Sequence, residues 1–144
     1  MQQPIVLVIF YSRAGSTEKL ALAAAVGAVQ GRALIRLRRL PDLNAAKVIE
    51  AFPDAREALV RMHREYVAPA EADILGADAI IFATPPDLKT SDDWKQHLDL
   101  LARLRAEGKM EGKVVVPLSV DSVQRATEQG RTLVAMLREI KKTT

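Results

Sequence analysis

An uninterrupted run of six apolar residues, Ile5–Phe10, is followed at once by a polar segment, and this pair constrains the fold more than any other stretch. The run is too short for an independent helix and rich in β-branched side chains, which is typical of a strand buried on both faces of a parallel sheet. Residues 11–17 then predict a loop, and the pattern after them predicts a helix over Glu18–Val29. A strand, a loop and a helix in this order indicate an α/β protein.

The loop has the chemistry of an anion-binding site. The first amides of a helix have no acceptor within that helix, and the helix dipole favours negative charge there. Ser12, Ser16 and Thr17 add hydroxyl donors. Arg13 adds a positive charge, and Gly15 permits a tight turn. The sequence therefore predicts that this loop holds a phosphate or a similar anion.

Three stretches resemble one protein family. YSRAGSTEKLA, at residues 11–21, is similar to the phosphate loop of the flavodoxin-like NAD(P)H:quinone oxidoreductases of the WrbA type. EADILGADAIIFATPP, at residues 71–86, resembles the approach to that family's second flavin loop. GKMEGKVVVPLS, at residues 108–119, resembles its junction between a helix and the fourth strand. The resemblance covers most of the chain.

The resemblance implies a fold and a cofactor. The fold is a flavodoxin-like three-layer α/β/α sandwich with a parallel sheet, for which we expect four strands in the order 2-1-3-4. The cofactor is FMN, with its phosphate in the first loop and its ring beside the later loops. The cofactor-binding residues expected on this basis are Ser12, Arg13, Ala14, Gly15, Ser16, Thr17, Thr84, Pro85, Pro86, Asp87, Leu88 and Ser119.

The rest of the chain supplies the remaining strands and helices. Further strands are predicted at Ala33–Arg38, Asp78–Ala83 and Lys113–Leu118. Helices are predicted at Ala45–Phe52, Asp54–Tyr66, Glu71–Gly76, from Ser91 or Asp92 to Gly108, and at Val123–Lys141. No apolar strand follows the last helix, so the fourth strand is expected at an edge, where Pro117 is tolerated. An edge this apolar needs cover from the last helix or from a second subunit, which makes a homo-oligomer an expectation.

Several side chains have competing interpretations. The four arginines from Arg32 to Arg39 are interpreted as a solvated edge, with an anion or NADPH-phosphate patch as the alternative. His63 and His97 are interpreted as structural or exposed rather than as proton-transfer groups. Helical spacing predicts two core-facing stripes, one of Trp94, Leu98, Leu101 and Leu104, the other of Leu133, Met136, Leu137 and Ile140.

Composition excludes several classes of protein. A length of 144 residues fits one domain, 1–144. The absence of cysteine excludes disulfides, zinc–thiolate sites and cysteine nucleophiles. No signal peptide is recognised, and no apolar run approaches the ~20 residues of a membrane span, so a cytoplasmic protein is expected. The net charge of +3 is not a nucleic-acid signature by itself.

Two functions remain in competition. The resemblance implies an FMN-dependent oxidoreductase that moves a hydride from NAD(P)H to the flavin and on to a quinone-like acceptor, with no side chain required as acid or base. The alternative is a flavodoxin-like binding or assembly module with a degraded flavin site. It is favoured because residues 84–93 lack the aromatic residue and glycine of the family's second loop, and residues 119–129 lack the histidine and glycines of its third.

Other chemistries fit less well. A single-electron carrier of the flavodoxin type usually presents an acidic face, and this chain is basic. The phosphate-binding patterns GxxxxGK[ST] and GxGxxG are absent, and the carboxylates form no recognisable metal cluster. A receiver domain of a response regulator would need acidic residues where Tyr11, Ser12 and Thr84 stand. A serine–histidine–aspartate triad would have to use His63 or His97, and neither is predicted in a loop at the crevice.

Overall fold

A computed structural model describes residues 3–13, 15–42, 45–84, 92–118 and 120–142 of the chain. Within these residues the strands are β1 (Ile5–Phe10), β2 (Leu34–Arg39), β3 (Ala79–Ala83) and β4 (Val114–Pro117). They form one sheet in the order β2-β1-β3-β4, with every pair parallel. The predicted parallel sheet and its strand order are confirmed.

Helices connect these strands. They are α1 (Ser16–Gln30), α2 (Ala45–Ala51), α3 (Arg56–Glu65), α4 (Glu71–Leu75), α5 (Asp92–Ala106) and α6 (Val123–Lys142), with a 3-10 turn at Pro53–Ala55. That turn confirms the predicted break, since proline cannot continue the preceding helix. Helix α1 begins two residues before the predicted start at Glu18, so Ser16 and Thr17 belong to its first turn.

Strand β1 separates two apolar layers. Val6, Val8 and Phe10 face one layer together with α1 and α6, whereas Leu7 and Ile9 face the other together with α4 and α5. The alternation follows from the period of two along a strand. All five side chains are completely buried, which confirms the prediction of a strand covered on both faces.

Helices α1 and α6 cross with their backbones in contact. An ideal Cβ placed on Gly27 would lie 1.9 Å from the carbonyl oxygen of Thr127, and one on Gly130 would lie 2.1 Å from that of Ala24. Only hydrogen fits at these two positions. The glycines thus let both helices lie on the same face of the sheet.

The two predicted core stripes are partly wrong. Leu98 is 44% exposed, and His97 together with Leu104 faces the core in its place. The side chain of Trp94 lies outside the described part of the molecule. In α6, Met136 and Ile140 are each 43% exposed, and the buried positions are Leu133, Val134 and Leu137.

Strand β4 lies at an edge of the sheet, as predicted, and Val114 and Val116 on one of its faces pack against the core cluster to which α1 and α6 contribute. Its other face carries Val115, which is 39% exposed. Among the described residues, no helix combines the length and apolar character that a membrane span requires.

Candidate functional site

The predicted site residues that the structure describes lie at the carboxyl edge of the sheet. The first loop follows β1, and Thr84 follows β3, the neighbouring strand. The amide of Tyr11 donates a hydrogen bond of 3.0 Å to the carbonyl of Ala83, which joins the two strand ends. Open α/β sheets bind ligands at this edge. The structure therefore brings the first loop and the start of the second to one side of the molecule.

The first loop is a closed turn. The hydroxyl oxygen of Ser12 accepts a hydrogen bond of 3.0 Å from the amide of Gly15. Gly15 has φ 103°, a left-handed conformation that favours glycine, and its carbonyl accepts the first bond of α1 from the amide of Lys19. Because the Gly15 amide is occupied by Ser12, the next amides, those of Ser16 and Thr17, are the donors at the start of the helix.

Each predicted residue has a distinct environment. Ser12 is buried at 2% exposure, Arg13 and Thr17 are half-buried, and Ser16 is exposed. Thr84 is half-buried at the end of β3. The remaining predicted residues lie outside the described part of the chain: Ala14, Pro85, Pro86, Asp87, Leu88 and Ser119.

A buried polar network beneath the loop was missed by the sequence analysis. The guanidinium of Arg39, at the end of β2, donates to the carbonyl of Ser12 at 2.7 Å and to Asp42 at 3.2 Å. Asp42 also accepts a short hydrogen bond from the hydroxyl of Tyr11. Burial and that bond raise the pKa of Tyr11 to about 12, so its hydroxyl stays protonated as a donor.

The interpretation of all four arginines as a solvated edge is wrong for Arg39, which is 3% exposed. The physical reason is its partner, because a guanidinium can be buried only where a carboxylate and hydrogen-bond acceptors meet it. A signal for this was present in the sequence. Arg39 and Asp42 stand three residues apart, directly after a strand that ends at the binding edge.

Two further side chains border the network. Nε2 of His63, on α3, lies 2.9 Å from Asp42, and the side chain is 30% exposed, which confirms the partly exposed histidine expected there. Nε of Arg13 donates to the Tyr11 hydroxyl at 3.3 Å. The Arg13 guanidinium also lies 4.5 Å from the centre of the Phe52 ring, a cation–π contact that holds the positive charge beside the loop.

A second clamp fixes the start of α1. The carboxylate of Glu18 is 5% exposed and accepts two hydrogen bonds from Arg61 and one of 2.5 Å from the Tyr66 hydroxyl. The bonds from Arg61 hold the pKa of this carboxyl below its usual range. Arg61 thus neutralises a negative charge that would otherwise repel an anion at the loop.

His97 is packed in the interior, which is compatible with its interpretation as a structural side chain. It is 5% exposed, and its ring makes an edge contact with Phe82 at a centroid distance of 5.2 Å. Burial lowers its pKa to about 4, so the ring is neutral at physiological pH.

The described residues fit the phosphate end of a mononucleotide. The donor set consists of helix amides, the Ser12, Ser16 and Thr17 hydroxyls and the Arg13 guanidinium, which are the groups that bind phosphate in proteins. The hydroxyl oxygen of Ser12 accepts a hydrogen bond from the amide of Gly15. Its hydroxyl hydrogen is not used in that bond and can be donated to a phosphate oxygen. The residues predicted for the ring end, apart from Thr84, lie outside the described part of the chain.

Curated relatives share one name. The chain is 34% identical over 133 residues to an NAD(P)H dehydrogenase (quinone) from Archaeoglobus fulgidus, covering 92% of this chain and 69% of the relative. It is 37% identical over 109 residues to NAD(P)H dehydrogenase (quinone) 3 from Rhizobium meliloti, covering 75% of this chain and 49% of the relative. The chain thus spans about half to two thirds of these proteins. No family model matches the sequence.

Solved structures show the fold. An archaeal flavodoxin superposes with a TM-score of 0.56 at 13% identity, over 93% of this chain and 99% of that one. The flavodoxin-like domain of a Synechococcus protein superposes with a TM-score of 0.52 at 16% identity, over 93% and 99% of the two chains. The predicted flavodoxin-like α/β sandwich is therefore confirmed.

Proposed function

Because this chain belongs to the NAD(P)H dehydrogenase (quinone) family, we propose that it is an FMN-dependent oxidoreductase that transfers a hydride from NAD(P)H to a quinone-like acceptor. The likeness to the archaeal relative covers 92% of the chain, and the chain forms a flavodoxin-like parallel sheet. The observation that carries the proposal is the closed Ser12–Gly15 turn at the start of α1, which supports an anion site because amide, hydroxyl and guanidinium donors belong to this one short segment.

The protein's part in this reaction is binding and orientation. Bound FMN supplies the two-electron chemistry. The amides of Ser16 and Thr17 and the hydroxyl of Ser12 would hold the phosphate, and Arg13 would balance its charge. Thr84 lies at the end of the neighbouring strand, where the family resemblance expects the ring. No side chain of this chain is required to act as a general acid or base.

The alternative function is a binding or assembly module. Its support is the composition of residues 84–93 and 119–129, which lack the aromatic residue, histidine and glycines that the resemblance expects beside the ring. A module of this kind binds a phosphate-bearing ligand at the first loop, or no ligand there, and performs no turnover. Catalysis therefore separates the two proposals.

Four further expectations belong to the proposal. They are a single domain over residues 1–144, a location in the cytoplasm, NAD(P)H and a quinone as partners, and a homo-oligomer. The support for an oligomer is the open edge of β4, where Val115 is 39% exposed. A monomeric mass in analytical ultracentrifugation would remove that expectation.

Turnover tests the proposed function. The purified protein is mixed with FMN, with NADPH or NADH, and with 1,4-benzoquinone. Oxidation of the nicotinamide is measured as the loss of NADPH or NADH absorbance. We expect saturable turnover that requires protein, FMN and quinone together. Arg13→Met should raise the FMN concentration needed for half-maximal rate.

The matched control is Arg105→Met, which removes the same charge from an exposed position near the end of α5 and leaves that concentration unchanged. FMN binding without turnover would favour the binding module over the oxidoreductase. A chain that shows neither FMN binding nor turnover would contradict the oxidoreductase and leave the binding or assembly module.

A further inference from the structure

Arg39 is a buried cation whose shortest described hydrogen bond ends on the phosphate loop. Its side chain is 2% exposed. Nη2 donates to the carbonyl of Ser12 at 2.7 Å, whereas the bonds to Asp42 and to the carbonyl of Leu40 are each 3.2 Å. The guanidinium carbon also lies 5.0 Å from the centre of the Tyr11 ring. These contacts connect the end of β2 to the loop that follows β1.

The charge of Arg39 is balanced before any ligand arrives. The side chain of Asp42 has 0% exposure and receives hydrogen bonds from both Arg39 and Tyr11. A buried ion pair of this kind contributes little net stability, because desolvation offsets the attraction between the charges. The pair is therefore poorly explained as a source of folding energy alone, and its position beneath the loop needs another account.

The contacts of Ser12 supply that account. Its carbonyl oxygen is held by Arg39, and its hydroxyl oxygen is held by the amide of Gly15. The two bonds fix both the backbone and the side chain of the residue that opens the turn. Without the bond from Arg39, the carbonyl of Ser12 can rotate, and the turn that orients the amides of Ser16 and Thr17 loses one of its two anchors.

We propose that Arg39, with Asp42 as its counter-ion, is a positioning residue for phosphate recognition. It holds the Ser12–Gly15 turn in the conformation that binds the phosphate of FMN, and so determines the preference for FMN over riboflavin, the same flavin without phosphate. The identity of the ligand rests on the proposed function, whereas the anchoring of the turn does not. Arg39 touches the loop backbone and acts on the ligand through Ser12.

Three variants test the proposal. Arg39→Met removes the anchor, Arg39→Lys keeps a cationic donor, and Arg38→Met is the matched control. Arg38 is the neighbouring residue on β2 and binds the carboxylate of Asp73 at 3.0 and 3.2 Å, away from the loop. Each variant is compared with the wild-type chain by amide hydrogen exchange without flavin, and by titration with FMN and with riboflavin.

We expect faster exchange in Arg39→Met at the amides of Gly15 and Lys19, which donate to Ser12 and Gly15 in the closed turn. Its Kd for FMN should rise about ten-fold, because the turn that orients the phosphate-binding amides loses the hydrogen bond from the charged Arg39 to the carbonyl of Ser12. Its Kd for riboflavin should stay within about two-fold, since riboflavin lacks the group that the turn binds. Arg39→Lys should recover part of the FMN affinity, and Arg38→Met should change neither measurement.

Each outcome is decisive. Unchanged exchange at the turn in Arg39→Met would overturn the proposal, and so would an equal loss of affinity for FMN and riboflavin, which indicates general disruption. A wild-type chain that binds no FMN, with a turn that still loosens in Arg39→Met, would contradict the proposed function but support the anchor. If Arg39→Met does not fold, the double variant with Asp42→Asn removes both buried charges, and the same exchange result is expected.

Discussion

The close crossing of α1 and α6 predicts that an alanine in place of a glycine at the crossing destabilises the protein, whereas helix propensity predicts that it stabilises the protein. Gly130 lies inside α6, and alanine is favoured over glycine in a helix by about 1 kcal/mol. Propensity alone therefore predicts that Gly130→Ala stabilises the protein. The structure predicts the reverse, because the added methyl group has no space.

The magnitude follows from the geometry. A Cβ on Gly130 would lie 2.1 Å from the backbone oxygen of Ala24 and 3.0 Å from the amide nitrogen of Ala28. Because a backbone atom cannot rotate away, the helices must separate by about 1 Å, which disturbs close packing along their contact. Overpacking of this kind costs about 1–3 kcal/mol or more, which exceeds the gain in propensity. We expect a net loss of about 2 kcal/mol and a fall in Tm of about 6 °C.

Thermal and urea unfolding, followed by circular dichroism, measure this change. Gly27→Ala should behave in the same way, since its Cβ would lie 1.9 Å from the oxygen of Thr127. The matched control is Gly76→Ala, whose Cβ would meet Nη1 of Arg36 at 3.1 Å, the far end of a flexible side chain that can shift. Its loss of stability should be smaller than that of Gly130→Ala. A Gly130→Ala variant as stable as the wild type, or more stable, would refute the described crossing.

Three other changes have defined outcomes. Burial lowers the pKa of His97 from 6.5 to about 4, so the unfolded state takes up a proton before the folded state does as pH falls. The free energy of unfolding should therefore decrease between about pH 6.5 and pH 4. Urea unfolding at pH 7 and pH 5 should show this decrease in the wild type but not in His97→Phe. The hydrogen bonds from Arg61 lower the pKa of Glu18, so its stabilisation is present above about 4.5 and lost below it. Glu18→Gln should therefore cost about 1–2 kcal/mol at pH 7 and converge on wild type in acid, and a constant difference across pH would argue against the ion pair. Gly15→Ala forces an alanine into φ 103°, and should destabilise by about 1 kcal/mol or more and weaken FMN binding, whereas unchanged binding would remove Gly15 from the site.

The sheet was predictable because its signals are local. The apolar run of β1 indicates a buried central strand without any knowledge of its neighbours. Pro117 indicates an edge strand because of its own missing amide hydrogen. The turn that opens at Ser12 was predictable for the same reason, since it follows the strand directly, but Ser16 and Thr17 belong to α1 rather than to the predicted loop.

What depends on tertiary contacts was not predictable in the same way. Helical spacing alone did not indicate that α5 turns His97 rather than Leu98 to the core, because the orientation of a helix is set by the sheet beneath it. Arg39 was interpreted as solvated because its residue type is usually exposed. The nearby Asp42 is a local signal of a buried pair, but the contact with the carbonyl of Ser12, 27 residues away in sequence, is one that no local pattern reports.

A titration of FMN with increasing amounts of the purified chain tests the central claim most directly. Binding is measured by the quenching of flavin fluorescence. Phosphate contacts at the first loop contribute about 1.5–3 kcal/mol each, so several of them together with ring contacts should give saturable binding. We expect one site per chain and a Kd of about 1 μM or tighter, equivalent to about −8 kcal/mol. A fluorescence signal that shows no saturable change up to high micromolar protein would contradict the assignment of the Ser12–Thr17 loop as a flavin phosphate site.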